Sequence, residues 1–291
     1  MSRADAPAAP APWYAARPTP VQTLHVHSRY VDGADTLAAM AEAALRAGLF
    51  SLGFSEHGYV PVPVVGEPCW MTPEETARYL AEARALQGAL AGQLALFVGL
   101  ELDSYGYDAA LPLDYRIGSV HLLPGSEGLF SVDESRARLL HELGAAYGGD
   151  PLRLARRYYA DVAAFAACCR PDILGHFDLI TKFDESGSAF LEDSAAYRAH
   201  ALEALDAVLD AGCIVELNTG AIARGYRRTP YPRRFLLERV RERGGRITFS
   251  ADAHSAAGVA CGLQEAAALA RDVGFTEYAV LTADGFVSAP L

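Results

Sequence analysis

His25 and His27 stand two residues apart, and so do Asp252 and His254. A strand repeats every two residues, so both members of each pair point the same way and can address the same or neighbouring ions. His57, Glu101, His121 and His176 each sit in or at the end of a separate short apolar run. Imidazole nitrogens and carboxylate oxygens are the donors that zinc, iron and manganese share. A single strand histidine is more often a satisfied core residue than a ligand. Six of the eight histidines at matching places form a set, and a set of this kind points to metal chemistry. Asp35 reads either as a helix cap or as a further ligand. Asp178, two residues beyond His176, is placed to orient a ligand histidine, as carboxylates behind a metal site commonly do. Glu216 reads as a strand-end hydrogen-bond acceptor, with a direct role as the alternative. His141 and His200 fall in helical stretches and read as surface residues.

The elements that must position these groups alternate along the chain. Short runs rich in Val, Ile, Leu and Phe occupy residues 22–27, 51–57, 94–103, 115–123, 173–178, 213–219 and 247–254. They lack hairpin turns between them, as buried parallel strands do. Helical patterns cover residues 36–47, behind Asp35 as N-cap, and 73–90, behind a Thr72–Glu75 capping box with Pro73 at the first helical position. Further helices are expected over 151–169, 194–211 and 233–243, the last two closing near Gly212 and Gly244. Seven strand–helix units without a break in composition predict one α/β domain, a closed or nearly closed parallel barrel over residues 21–291. An open doubly wound sheet is the alternative. Every strand of a parallel barrel ends on the same face, where side chains distant in sequence converge on one pocket. Residues 123–149 are long for a connection between strand and helix, and such loops often carry function. Residues 1–20, rich in Ala and Pro, read as a flexible arm.

The chain of 291 residues carries 25 basic and 36 acidic side chains, a formal charge of −11, which argues against a nucleic-acid surface. With 51% hydrophobic residues it is a folding composition, not a disordered one. No apolar run approaches the roughly 18–20 residues of a membrane span, and the N-terminus has no signal-peptide core. The five cysteines form neither a paired framework nor a C-x-x-C pattern and read as packing residues. A cytoplasmic protein is expected, with no membrane partner; its oligomeric state cannot be read.

The segments Leu24-His25-Val26-His27-Ser28, Phe54-Ser55-Glu56-His57, Gly99-Leu100-Glu101-Leu102-Asp103 and Ile117-Gly118-Ser119-Val120-His121 have an order that is known. With Gly175-His176-Phe177-Asp178-Leu179, Glu216-Leu217-Asn218-Thr219-Gly220 and Ser250-Ala251-Asp252-Ala253-His254, the sequence closely resembles the polymerase and histidinol phosphatase (PHP) family. Within it, the histidinol-phosphate phosphatase branch is the nearest match. The resemblance runs from about residue 22 to 275 and implies a distorted (β/α)7 TIM-like barrel with three divalent transition-metal ions: zinc, iron or manganese. It places His25, His27 and Asp252 on the first ion and Glu101 between the first and second. His121 and His176 complete the second, and His57 and His254 hold the third. Asp35 is the expected remaining ligand. Some relatives place another histidine in the loop after the first strand, where this chain has Asp32 and Gly33.

The chemistry that follows is hydrolysis of a small phosphorylated substrate. Two ions lower the pKa of a bridging water, so that a metal-bridging hydroxide attacks phosphorus in line. Arg224 is the first choice for holding phosphate, consistent with the resemblance, then Lys182; Arg227 is either a further phosphate ligand or part of a solvated basic loop. Asp178 and His254 are alternative proton donors to the leaving alkoxide. The leading expectation is a phosphatase that converts L-histidinol phosphate to L-histidinol and phosphate in histidine biosynthesis. Another phosphomonoester or a nucleotide, an exonuclease-like phosphodiesterase, and an inactive metal-binding scaffold are the alternatives.

Overall fold

Parallel pairing joins seven strands in the order of the chain. The computed structural model describes residues 20–66, 69–185 and 194–291, so the expected arm falls almost wholly outside the described residues. The barrel strands are β1 (Gln22–Thr23), β2 (Ser51–His57), β3 (Ala95–Asp103) and β4 (Tyr115–Ser119), and, after an inserted hairpin, β7 (Ile173–Leu174), β8 (Ile214–Asn218) and β9 (Ile247–Ser250). They pair as β1-β2-β3-β4-β7-β8-β9, every pair parallel. The first and last strands meet through a single bridge, Val26 with Ala253, where His27 N–H donates to the Ala253 carbonyl at 2.9 Å. The structure is thus the expected barrel, closed by a narrow seam, and not the open sheet.

Between the strands run α1 (Leu37–Arg46), α2 (Pro73–Ala89), α4 (Pro151–Cys169), α5 (Ala195–Asp210) and α7 (Arg234–Glu242). Their starts follow from side-chain caps. Thr72 and Glu75 make the reciprocal capping box of α2, and Asp150 caps α4 ahead of Pro151. Asp35 does not cap α1: the N-cap is Thr36, whose side chain accepts from Ala39 N–H at 3.2 Å.

The stretch 123–149 is not one long loop. It holds most of an antiparallel hairpin, β5 (Leu122–Pro124) with β6 (Leu129–Ser131), followed by helix α3 (Arg136–Ala145). A short helix, α6 (Gly220–Ala223), follows β8, a longer one, α8 (Leu263–Val273), follows β9, and the chain closes with the hairpin β10 (Glu277–Thr282) and β11 (Gly285–Pro290). That hairpin fills the end of the barrel where the strands begin. Ala279 and Leu281 pack there with Leu24, Tyr115, Ile117, Ile173 and Ile214. Gln22 locks it in place, its amide exchanging two hydrogen bonds with the backbone of Leu281 at 3.0 and 2.8 Å. Apolar filling at one end leaves the other end to the polar residues.

Candidate metal centre

Strand ends deliver the donors. His25 and His27 flank Val26, the residue that closes the barrel, and His57 is the last residue of β2, paired with Glu101 of β3. His121 follows β4, His176 follows β7, and Asp252 and His254 follow β9. His25, His27, Glu101, His176 and Asp252 are all buried, and His57, His121 and His254 reach the surface of the cavity.

Glu101 stands at the middle. Its Oε2 lies 3.1 Å from His25 Nε2, 3.5 Å from His27 Nε2 and 3.1 Å from His57 Nδ1. Its Oε1 faces the other side, 3.3 Å from His121 Nε2 and 2.9 Å from His176 Nε2. One carboxylate therefore separates two sets of imidazoles. Asp252 Oδ1 lies 3.8 Å from His25 Nε2 and 3.5 Å from His27 Nε2. Its backbone is left-handed, with φ 45°, a conformation that Asp tolerates better than most residues and that often marks a working site.

Asp32 completes the arrangement, and the sequence reading did not select it. Its Oδ2 lies 3.0 Å from His254 Nε2 and 3.8 Å from His57 Nε2, and its Oδ1 is 3.7 Å from His27 Nδ1. Asp35 instead accepts a hydrogen bond from Ala256 N–H at 2.8 Å, so it fastens a loop and is outside the donor groups. The turn that presents Asp32 folds back on itself: Gly33 N–H donates to Ser28 O at 2.9 Å, and a Cβ on Gly33 would lie 2.6 Å from Ser28 Cα. The Asp32-Gly33 pair at the place where some relatives carry a histidine was the available signal.

The chemistry of the donors fits several cations. Their ligand atoms form four groups, each within 4.8 Å: His25–Glu101–His176, His25–His27–Asp252, His57–Glu101–His121 and His27–Asp32–His57–His254. His25 Nε2, both nitrogens of His27 and His176 Nδ1 are buried without a hydrogen bond. Orphaned buried polar atoms are costly, and a cation satisfies imidazole lone pairs directly. Electrostatics agree. Burial, with His254 and His57 alongside, pushes His27 down to about 3, which keeps its ring neutral with a lone pair to offer. Burial works against ionisation of Glu101 and Asp252, but is outweighed: the imidazoles of His25, His121 and His57 hold Glu101 well below the usual carboxylate range, and Arg224 and His25 do so for Asp252.

A cavity of about 500 Å³ opens over these groups. Arg224 lies at its floor, donating to Asp252 Oδ2 and the Asp252 carbonyl at 3.0 Å each and to His254 Nδ1 at 2.6 Å. Lys182 also reaches the cavity, but its ammonium is held by Asp133, at 2.9 Å from the carbonyl and 3.0 Å from Oδ2. Asp133 lies just beyond β6 and was missed with the hairpin. Two expected residues are elsewhere. Arg227 is buried, donates to Thr181 and stacks on Tyr231 at 4.6 Å, so its guanidinium fixes a loop and does not line the cavity. Asp178 is also buried outside the cavity wall, its Oδ2 accepting from Arg233 N–H at 3.3 Å, which removes it as proton donor at the cavity surface. Behind the donors, Glu216 Oε1 lies 2.7 Å from His25 Nδ1, and Asp103 Oδ2 accepts from His121 N–H at 2.9 Å. The far wall is apolar, with Val60, Val64, Trp70 and Leu122.

Fold and site together define a parallel barrel with one rim built to hold divalent cations. The sequence matches the PHP domain over residues 23–220, and the chain belongs to the PHP family. It is 33% identical over 246 residues to a Deinococcus radiodurans protein named probable histidinol-phosphatase, across 80% of this chain and 86% of that one. Histidinol-phosphatase of Bacillus subtilis is 26% identical over 258 residues, 81% of this chain and 94% of its own. Among solved structures, histidinol phosphate phosphatase from Lactococcus lactis, complexed with zinc, L-histidinol and phosphate, shares the fold with a TM-score of 0.67 at 20% identity. That match covers 91% of this chain and 98% of that one.

Proposed function

We propose that this chain is a metal-dependent phosphomonoesterase that hydrolyses L-histidinol phosphate to L-histidinol and phosphate in histidine biosynthesis, using three divalent cations. The observation that carries the reading is Glu101, whose two oxygens face two separate sets of imidazoles and so suit a carboxylate bridging two ions. The first ion would take His25, His27 and Asp252, the second His121 and His176, and the third His57, His254 and Asp32. Divalent ions held by these residues would supply a water of lowered pKa and a clamp for phosphoryl oxygens in an in-line displacement.

The protein's own groups supply the rest. Arg224 offers a planar fork beside the donors, the geometry that suits phosphate oxygens, and its contacts to Asp252 and His254 keep it there. His254 has both ring nitrogens engaged, Nε2 with Asp32 and Nδ1 with Arg224, so it serves as a ligand, and the proton for the leaving alkoxide would come from water in the cavity. The apolar wall of Val60, Val64, Trp70 and Leu122 lies against the organic part of the substrate and keeps water from it. Names of relatives support the substrate, and the buried donor set supports the reaction class. The test is phosphate release from a panel of monoesters by protein loaded with zinc, manganese or iron. Histidinol phosphate is expected to give the highest kcat/KM. A tenfold preference for a different monoester would replace the substrate, and no release from any would remove the activity.

A further inference from the structure

Glu216 lies in β8, wholly buried, and belongs to none of the four donor groups. It nevertheless stands in a chain of hydrogen bonds whose direction is set from the backbone donors inward. The chain starts at the backbone of Gly220, whose N–H can only donate, at 2.9 Å to Asn218 Oδ1. That contact fixes the amide of Asn218, so its Nδ2–H₂ group points to Glu216 Oε2, at 2.9 Å. The backbone N–H of His176 donates to the same oxygen at 2.8 Å. With two donors on Oε2 that oxygen holds no proton, and Glu216 in its ordinary ionised state presents Oε1 as an acceptor for His25 Nδ1 at 2.7 Å. His25 Nδ1 must therefore carry the ring proton. That leaves Nε2, buried without a hydrogen bond between Glu101 and Asp252, as the nitrogen that would give its lone pair to an ion.

We infer that Glu216 is a positioning residue that sets the tautomer of His25, and that the same carboxylate seats the backbone of His176, so one side chain aligns ligands in two donor groups. The inference rests on the metal-dependent reading above. Its distinctive consequence concerns Glu216→Gln, which preserves shape and volume. An amide at this position has one acceptor and two donors. The two N–H groups at the Oε2 position attract the amide oxygen, so the amide NH₂ turns to His25 Nδ1. The ring then accepts there, and its proton moves to Nε2, where an ion should bind.

The experiment measures zinc affinity by competition with a chromophoric chelator, for the wild type, Glu216→Gln and Glu216→Ala. Glu216→Gln is expected to bind zinc about 10–100-fold more weakly, the usual range for losing a partner behind a ligand, with an unchanged circular dichroism spectrum. Because the amide presents a donor to His25 Nδ1, Glu216→Gln should lose at least as much affinity as Glu216→Ala; a role in packing alone would leave the isosteric variant near the wild type. In zinc-loaded wild type labelled with 15N-histidine, His25 should carry its proton on Nδ1 and zinc on Nε2. Unchanged affinity in Glu216→Gln, or the opposite tautomer in the wild type, overturns the inference. A wild type that binds no zinc, manganese or iron overturns instead the metal-dependent reading on which it rests. The 15N measurement needs no substituted protein and decides the matter even where a variant fails to fold.

Discussion

At the scale of single residues, the donor set divides by what each carboxylate faces. Asp32 faces three imidazoles and Asp35 faces a backbone N–H, although they lie three residues apart in one turn. Substitution separates them. Asp32→Ala should release about one equivalent of metal, measured by elemental analysis, and lower kcat by about 100-fold or more, the scale of some 3 kcal/mol of lost transition-state stabilisation. Asp35→Ala loses one backbone-directed hydrogen bond, worth about 1 kcal/mol of stability by chemical denaturation, with metal content unchanged. Equal metal loss in both would reverse the assignment. The histidines were legible in the sequence because they end separate strands, and a parallel barrel brings strand ends together. Asp32 was not, because a turn has no period from which to read where a side chain points. Arg227 shows the same limit: its sequence neighbourhood is basic and loop-like, and only its partners Thr181 and Tyr231 reveal that it faces inward.

At the scale of elements, helix starts were readable wherever a cap is a local side-chain event, as in the Thr72–Glu75 box. The hairpin of β5 and β6 escaped because three-residue strands are too short to show alternation. It matters for the site, since Val65 N–H donates to Leu129 O at 2.7 Å and the loop after β2 is thereby joined to the hairpin as one wall. Another element works by being small. At the start of α6, a Cβ on Gly220 would lie 2.5 Å from Asp252 Oδ2 and 2.7 Å from its Cγ. Gly220→Ala should therefore push Asp252 from its place, costing about 1–3 kcal/mol of stability, as overpacking does, and weakening metal binding. Calorimetry and chelator competition measure the two effects, and a variant with native affinity would mean that α6 shifts instead.

At the scale of the whole molecule, the barrel is joined between its first and last strands by one bridge, and ligands stand on both sides of it. His25 and His27 lie on one side, Asp252 and His254 on the other. Cations bound across the seam, as proposed, would fasten it, because a ligand that binds only the folded state adds to stability. Removal of metal by a chelator should lower the melting temperature by several degrees, since about 1 kcal/mol corresponds to roughly 2–4 °C in a chain of this size. Amide exchange should rise most at His27 and Ala253, which bond across the seam. Uniform exchange along the chain would mean that the seam is no weaker than its neighbours. The barrel itself was predictable from seven apolar runs, but which pair of strands would be joined so narrowly was not, because seam width depends on how far β1 and β9 extend alongside each other.

The hairpin of β10 and β11 has a bearing on traffic. With Ala279 and Leu281 filling one end of the barrel, the described residues open the donors to solvent at the other end, through the cavity. Incoming ester, departing alcohol and departing phosphate would all use it in turn. Phosphate held among the donors and Arg224, as proposed, would block the berth that the next substrate needs, and turnover would then depend on the order in which the products leave.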